Sequence, residues 1–329
     1  MSERFNPYPE TDGVRTTLAL AEREPQWYSI ADRVPAGAST GDMLVAGHLD
    51  NWNLRLEPLV TQGRFHRSMF EVVRDNPFDK LPDTLGLVGS RYNIFSNEEL
   101  FSFGDNMTHG GEWVAAGAIA NGTRVFGLMR LNEGLTLSAG NRSDENERYL
   151  CVYTSHDGTT NLSVSIITLR IRCTNAITAA VRNAQQTFKI RHSQSMDGKV
   201  QEAREVLGMA DLYYDAFSAR MNDLISQEVT LAEANRIVEA VHPKPDEDKK
   251  GAVTRWENKL ETIFGIYNGE SVENIHGTKY GIFNAMTEYL DWFRTPRKGD
   301  SENLSAAFTD FDIPTHKEKD RILDLVSVA

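Results

Sequence analysis

Apolar and polar residues alternate in short blocks through the first half of the chain, and this period-two pattern predicts β-strands. Three such strands precede residue 100, at 53–61, 68–74 and 84–95. Residues 1–38 are instead rich in proline and charge, so we expect an irregular arm there. The predicted sheet therefore begins only after this arm.

Two dipeptides that suit tight hairpin turns mark the middle of the chain, an Asn-Gly at 121–122 and an Asp-Gly at 157–158. Such turns need positive φ angles, which these residue types tolerate. A two-residue loop at the first turn places Trp113 opposite Arg130. The same loop at the second turn gives that hairpin one apolar and one half-polar face, which predicts a sheet covered on one side.

Serine and threonine residues that suit helix N-caps precede several apolar runs of helical spacing. Ser96 and Thr230 are each followed three residues later by a glutamate, which completes the sequence pattern of a capping box. The predicted helices cover residues 40–51, 97–103, 175–187, 200–229, 253–267, 278–293 and 317–326. Helices therefore dominate the last third of the chain.

This order of elements predicts an α+β fold, in which a curled antiparallel sheet with packing helices is followed by a mostly helical C-terminal region. We expect three consecutive segments. They are an N-terminal arm at 1–38, an α+β core with two hairpins at 39–195, and a helical region at 196–329.

Composition narrows the classes of function. With 47 acidic and 35 basic residues the formal net charge is −12, which excludes a surface uniformly attractive to nucleic acid or anionic membrane. The N-terminal sequence lacks the apolar core of a signal peptide, and no run approaches the roughly 18 apolar residues of a membrane span. Two cysteines cannot form a disulfide framework. We therefore expect a cytoplasmic protein with no membrane partner.

One segment departs from this negative average, because residues 158–196 contain no aspartate or glutamate. At the average of the chain this window would hold about five or six. Strands and alanine-rich helices are poor in carboxylates in any case, so a purely structural explanation stays open. The alternative is a surface for a polyanion, because clustered cations without carboxylates bind a phosphate backbone.

The predicted surface combines cations of this segment with a second group on the first hairpin. The candidates in the acid-free segment are Arg170, Arg172, Arg182, Lys189, Arg191 and His192. On the hairpin, Arg124 and Arg130 add charge, and Trp113 adds a ring on which a base can stack. The competing interpretation is that Trp113 lies in the core and that the arginines pair with carboxylates on helices.

Sequence motifs for catalysis are absent. No G-x-x-x-x-G-K-[ST] phosphate loop, no G-x-G-x-x-G after a strand, no H-E-x-x-H and no histidine pair with metal-ligand spacing occurs. His156 and Asp157 are adjacent, but their place at a predicted turn favours a role in the turn over catalysis. We therefore expect a protein that is not an enzyme and uses no cofactor or catalytic metal.

Several blocks of the sequence resemble a family of phage- and plasmid-encoded proteins, the phage/plasmid-like protein family. The blocks are GDMLVAGHLDNWNLRLEPL (41–59), YLCVYTSHDG (149–158), LRIRCTNAITAAV (169–181) followed by IRHS (190–193), and HGTKYGIFNAMTEYLDW (276–292). They occur in the family's order and cover most of the chain between residues 35 and 295. Ile171 and Thr174 depart from the family's R-V-V-C-x-N block. The resemblance implies a phage or prophage origin and no particular activity.

The predicted layout is also similar to the core of phage single-strand annealing recombinases of the Red beta, RecT and Erf type. This is a resemblance of fold, and fold alone does not determine function. It implies an ATP-independent, homo-oligomeric ring or helix that binds single-stranded DNA in a positively charged groove and anneals it during homologous recombination. It also implies annealed duplex, a phage exonuclease or a host single-strand-binding protein as partners.

Two other classes of function stay open at the level of the residues. The acidic overall charge also suits a phage-encoded interaction protein that binds a basic host factor and has no nucleic-acid activity. A nuclease or other hydrolase would need carboxylates or histidines clustered around a metal ion. Single-strand binding and annealing is the function that we expect, because of the acid-free segment.

Overall fold

The computed structural model describes residues 17–21, 32–108, 111–119, 121–131, 134–170, 187–195, 198–208, 210–293 and 314–328. Antiparallel sheets and several helices confirm the predicted α+β class, and the C-terminal region is helical as predicted. The chain divides into two compact units: residues 1–132, 149–166 and 185–210 form the first, and residues 133–148, 167–184 and 211–329 form the second. The units interleave along the chain, whereas the sequence analysis predicts three consecutive segments.

The elements follow one another along the chain in a β-rich part and then a helical part. The strands are β1 (Thr17–Ala21), β2 (Asp32–Val34), β3 (Arg55–Thr61), β4 (Arg64–Asp75), β5 (Pro82–Gly89), β6 (Glu112–Ile119), β7 (Arg124–Arg130), β8 (Leu135–Ala139), β9 (Arg142–Ser155), β10 (Leu162–Arg170) and β11 (Thr187–Ile190). The α-helices are α1 (Thr40–Ala46), α2 (Asn97–Met107), α3 (Lys199–Gly208), α4 (Ala210–Ser226), α5 (Leu231–Val241), α6 (Lys250–Tyr267), α7 (Lys279–Glu288) and α8 (Pro314–Val328).

The larger sheet has the strand order β11-β10-β9-β7-β6-β1-β2, and β8 pairs with the beginning of β9. β1 pairs antiparallel with β6 and parallel with β2. Both strands come from the segment predicted to be an irregular arm, so that prediction is wrong for residues 17–21 and 32–34. Strand β6 offers backbone groups that a further strand can satisfy, and composition does not reveal such long-range pairing.

The β6–β7 hairpin has the predicted turn but only part of the predicted register. Residues 121 and 122 have φ angles of 56° and 81°, as the Asn-Gly turn requires. The predicted pairs hold from the turn back to Ala115. A β-bulge then shifts the register, so Trp113 lies opposite Met129 and not opposite Arg130. The extra residue of a bulge is not visible in sequence spacing, which is why this part of the prediction is wrong.

The β9–β10 connection differs from the prediction in length and in environment. Strand β9 ends at Ser155 and β10 begins at Leu162, so six residues join the strands where two were predicted. Residues 148–155 and 162–166 are all buried, so side chains on both faces are covered. The predicted sheet with one covered face is therefore wrong here. One cover is helix α2, where a Cβ added to Gly104 would meet Val152 of β9 at 3.1 Å.

A second sheet, of three strands, has the order β3-β4-β5. Strand β4 begins at Arg64, four residues before the predicted start, and the pair at 62–63 that joins it to β3 has φ angles of 52° and 72°. Strand β5 ends at Gly89 and pairs with β4 only from Met69 onwards. Within the described residues, the turn end of the β3–β4 hairpin therefore consists of two strands.

Capping boxes begin three helices, and each makes both of its hydrogen bonds. The pairs are Ser39 with Asp42 for α1, Ser96 with Glu99 for α2, and Thr230 with Glu233 for α5. The latter two confirm the predicted boxes. The predicted helix at 200–229 lies in two helices, α3 and α4, and α7 is followed by a π-helical turn at Tyr289–Phe293. The predicted helix at 175–187 lies outside the described residues, except for Thr187, which belongs to β11.

The second unit has an apolar core formed mainly by helices α4 to α8, with Leu137 of β8 among its buried residues. A polar group lies within this unit as well. Asp144 of β9 is buried, and its carboxylate accepts hydrogen bonds from the Tyr280 hydroxyl at 2.9 Å and from Nδ2 of Asn274 at 2.9 Å. These bonds tie the start of β9 to the helices of the same unit, because a buried carboxylate requires donors.

Candidate nucleic-acid interface

Strand β11 and the residue after it carry two of the predicted cations on the outer surface. Lys189 and Arg191 are exposed, whereas the residues that alternate with them are buried. One of these, Phe188, stacks with Phe103 of α2 at 6.5 Å between ring centroids. Alternate residues of a strand lie on opposite faces, so packing of the apolar set directs both cations to solvent.

Strand β10 and helix α3 are the neighbours of these two cations, and Glu205 of α3 accepts from Gln201 at 3.2 Å. Ser163 of β10 pairs with Lys189 across the ladder. Helix α3 packs against β11, but its Glu202 is already paired with Lys199 at 2.7 Å. Among the described residues, neither Lys189 nor Arg191 forms an ion pair. Their charges are therefore available to a ligand.

His192 follows directly and has a different environment. It is buried, its Nδ1–H donates to the Asn93 carbonyl oxygen at 3.0 Å, and its ring stacks on Tyr92 at 4.4 Å between centroids. Burial is the main cause that lowers the pKa of His192, so the ring is neutral at pH 7. A buried neutral imidazole does not pair with phosphate, so the prediction that His192 binds nucleic acid is wrong. Its bonds anchor the end of β11.

Trp113 is a core residue. Its side chain is 3% exposed, its ring centroid lies 4.6 Å from that of Phe101, and its Nε1–H lies 2.8 Å from Asp105 Oδ1 and 3.0 Å from Thr40 Oγ1. No base can stack on a ring enclosed in this way, so the predicted stacking role is wrong. The competing interpretation, that Trp113 belongs to the core, agrees with the structure.

The described contacts do not place Arg124 and Arg130 on one surface with Lys189 and Arg191. Arg130 forms an ion pair with Glu112 at 2.5 Å across the β6–β7 ladder. Arg124 is half-buried at the opposite end of β7, opposite Ile119. Six residues of extended strand separate the Cα atoms of the two arginines by about 20 Å. The competing interpretation predicts ion pairs with carboxylates on helices, whereas Glu112 belongs to strand β6.

The other three candidate cations are Arg170, Arg172 and Arg182. Arg170 is the last residue of β10, but only its backbone is described. Arg172 and Arg182 lie outside the described residues. Their assignment to the nucleic-acid surface stays a prediction.

A second basic surface, which was not predicted from the sequence, lies at the turn end of the β3–β4 hairpin. We call residues 60–68 the hairpin tip, and all of them are exposed. The tip contains the sequence Arg64-Phe65-His66-Arg67. A signal was present, because residues 58–70 contain no acid. The run is short, and Gln-Gly is not among the dipeptides typical of hairpin turns, so the predicted strands leave residues 62–67 between them.

The adjacent His156 and Asp157 have the structural role that the turn position favours. His156 is buried, its backbone N–H donates to the Thr123 carbonyl oxygen at 2.7 Å, and its Nε2 lies 3.0 Å from Asn97 Oδ1. Asp157 Oδ1 accepts from the backbone N–H of Thr159 at 2.9 Å. His156 thus joins the β9–β10 connection to helix α2 and to the β6–β7 turn.

Three further observations concern other kinds of site. In the part of the chain that the structure describes, no group of three or more His, Cys, Asp or Glu residues is placed to hold a metal ion. No helix in these ranges has the length and apolar character needed to cross a lipid bilayer. An open cleft in the second unit is lined by Asn268, Gly269, Glu270, Glu273 and His276. The two carboxylates in that lining would repel phosphate.

Comparison with known proteins identifies a family. Residues 84–308 match the family described as Domain of unknown function (DUF932). No curated protein and no solved structure matches the chain. The match begins within β5 and extends over both units, but it does not include the hairpin tip. Since it spans well over half of the 329 residues, the chain belongs to the DUF932 family.

Proposed function

We propose that the protein binds single-stranded DNA by its phosphate backbone and anneals complementary strands without ATP, as a homo-oligomer in phage or prophage recombination. The observation that carries this proposal is the pair of exposed cations on and beside β11, Lys189 and Arg191, within a 39-residue segment that contains no carboxylate. Two residues of extended chain separate them by about 7 Å, which lets each contact a different phosphate.

One subunit offers few such contacts, and this favours an assembly. A ring or helix of identical subunits would present the β11 cations repeatedly along one strand, and linked contacts raise avidity without any new kind of interaction. Arg170, Arg172 and Arg182 are proposed to extend the same surface, because they belong to the same acid-free segment. The layout of sheet and helical C-terminal region supports the annealing role by analogy only.

Fluorescence polarisation with a labelled single-stranded oligonucleotide, titrated at several salt concentrations, tests the binding step. The double variant Lys189→Ala, Arg191→Ala removes two phosphate contacts and should lower the slope of log affinity against log salt by about 1.4, at about 0.7 per contact with single strands. The loss should be alike for all sequences, because phosphate contacts carry no sequence information.

A matched control separates this surface from net charge. Lys244→Ala with Lys249→Ala removes the same charge from exposed lysines of the second unit and should leave the slope unchanged. Absence of wild-type binding at low salt, or binding indifferent to salt, would refute the proposal. An equal effect of the control variant would refute the assignment to β11.

The annealing step and the assembly need their own measurement. Complementary oligonucleotides, one of them labelled, are mixed with the protein in the absence of ATP, and duplex formation is followed in time. Electron micrographs of the same samples should show rings or filaments. Binding to one strand without faster annealing would reduce the proposal to single-strand binding alone.

A further inference from the structure

The hairpin tip is a two-stranded projection with no core of its own. Strand β5 pairs with β4 only from Met69 onwards, so no described strand adds a third to the tip, and every residue from 60 to 68 is exposed. Phe65 is 74% exposed and pairs across the ladder with Val60, which is 50% exposed. An isolated ribbon gains little from such residues. The exposed ring is therefore more useful to a ligand than to the fold.

The charges of the tip specify the kind of ligand. Arg64 and His66 are the chain neighbours of Phe65, Arg67 follows two residues later, and no acid occurs from residue 58 to residue 70. Among the described residues, neither arginine forms an ion pair. Of the flanking acids, Glu57 is already paired with Arg55 at 2.8 Å. A ligand for this surface should combine negative charge with flat apolar groups.

We propose that the hairpin tip is a second single-strand contact, in which Phe65 stacks on a base while Arg64 and Arg67 bind the flanking phosphates. Aromatic stacking combined with backbone cations is how proteins bind single strands without sequence preference. An uncharged apolar tip would favour a protein partner, whereas two guanidinium groups without a nearby carboxylate favour a polyanion. This inference rests on the proposed function, because it takes the same ligand.

Two variants and two oligonucleotides separate stacking from charge. Phe65→Ala should weaken binding of an ordinary oligonucleotide about fivefold or more. It should not affect binding of an abasic oligonucleotide of the same length, which has phosphates but no bases. Arg64→Ala with Arg67→Ala should weaken binding of both and lower the salt slope by about 1.4. Because the tip is exposed, circular dichroism should show the same folded content in all variants.

The outcomes distinguish this inference from the proposed function. If the wild-type protein does not bind either oligonucleotide, single-strand binding itself fails. Wild-type binding that both tip variants retain would overturn only the role of the tip, and so would a Phe65→Ala effect of equal size on the abasic strand. If Phe65→Ala alters the sedimentation of the protein but not its affinity for DNA, the tip contacts protein and the proposal is wrong. A preference of the tip for duplex over single strand would also overturn it.

Discussion

The stability of the first unit should depend on pH through His156, which lies buried between β9, α2 and the β6–β7 turn. The pKa of His156 is lowered to about 3, mainly by burial, and the electrostatic effects of His192 and Arg74 act in the same direction. Nδ2 of Asn97 donates to the Leu49 carbonyl oxygen at 2.7 Å, so Asn97 Oδ1 accepts from Nε2–H of the neutral imidazole. Nδ1 has no partner among the described residues, so a second proton there would be buried without an acceptor.

The size of the effect follows from the two pKa values. The unfolded chain has a histidine pKa of about 6.5, and the folded pKa of about 3 lies below it, so the unfolded state binds more protons between these values. The stabilising contribution of neutral His156 is therefore present above pH 6.5 and is lost as the pH falls towards 3. At pH 5 the loss is about 2 kcal/mol, from 1.5 pH units at about 1.4 kcal/mol each.

Urea unfolding at pH 7.5 and at pH 5, followed by tryptophan fluorescence, measures this loss. His156→Gln keeps a donor near the position of Nε2 and removes the titrating group. We expect its free energy of unfolding to fall by about 2 kcal/mol less than that of the wild type between the two pH values. His66→Gln, at the exposed hairpin tip, serves as the control and should behave as the wild type does.

The outcome that contradicts this reasoning is equal pH dependence in the wild type and in His156→Gln. Burial also lowers the pKa of His192, and that of His242 to about 4, so part of the acid sensitivity should persist in the variant. Complete loss of acid sensitivity in His156→Gln would therefore be as unexpected as no change.

Three further substitutions, one of them with a matched control, test core packing, a helix cap and a buried hydrogen bond. Gly127→Ala places a Cβ 2.8 Å from two buried aromatic rings and should lower stability by about 1–3 kcal/mol, whereas Gly265→Ala, with nothing within 4 Å, should not destabilise; equal melting temperatures would contradict this. Thr230→Ala removes a confirmed capping box and should cost about 1 kcal/mol in urea unfolding. Tyr280→Phe removes the donor to buried Asp144 and should cost about 1–3 kcal/mol; an unchanged unfolding midpoint would refute the importance of that bond.

Features that depend on near neighbours in the chain could be predicted from the sequence. The capping boxes at Ser96 and Thr230 are confirmed because both partners lie within three residues. The Asn-Gly turn at 121–122 and most of the β6–β7 register are confirmed because backbone sterics decide them locally. Strand β11 is not among the predicted strands, although its pleat accounts for the exposure of Lys189 and Arg191.

Tertiary structure alone decided which polar and aromatic groups are buried. The sequence predicts that Trp113 lies opposite Arg130 in the β6–β7 hairpin. In the structure a β-bulge shifts this register, and hydrogen bonds to residues as distant as Thr40 hold Trp113 in the core. The sequence analysis counts His192 among the cations of a basic segment, yet its ring is buried, and this burial lowers its pKa. The carbonyl group that accepts from its Nδ1–H lies 99 residues away in the chain. The exposure of the hairpin tip depends on where β5 stops pairing with β4. Burial and pairing register are properties of residues that are remote in sequence, so local patterns cannot determine them.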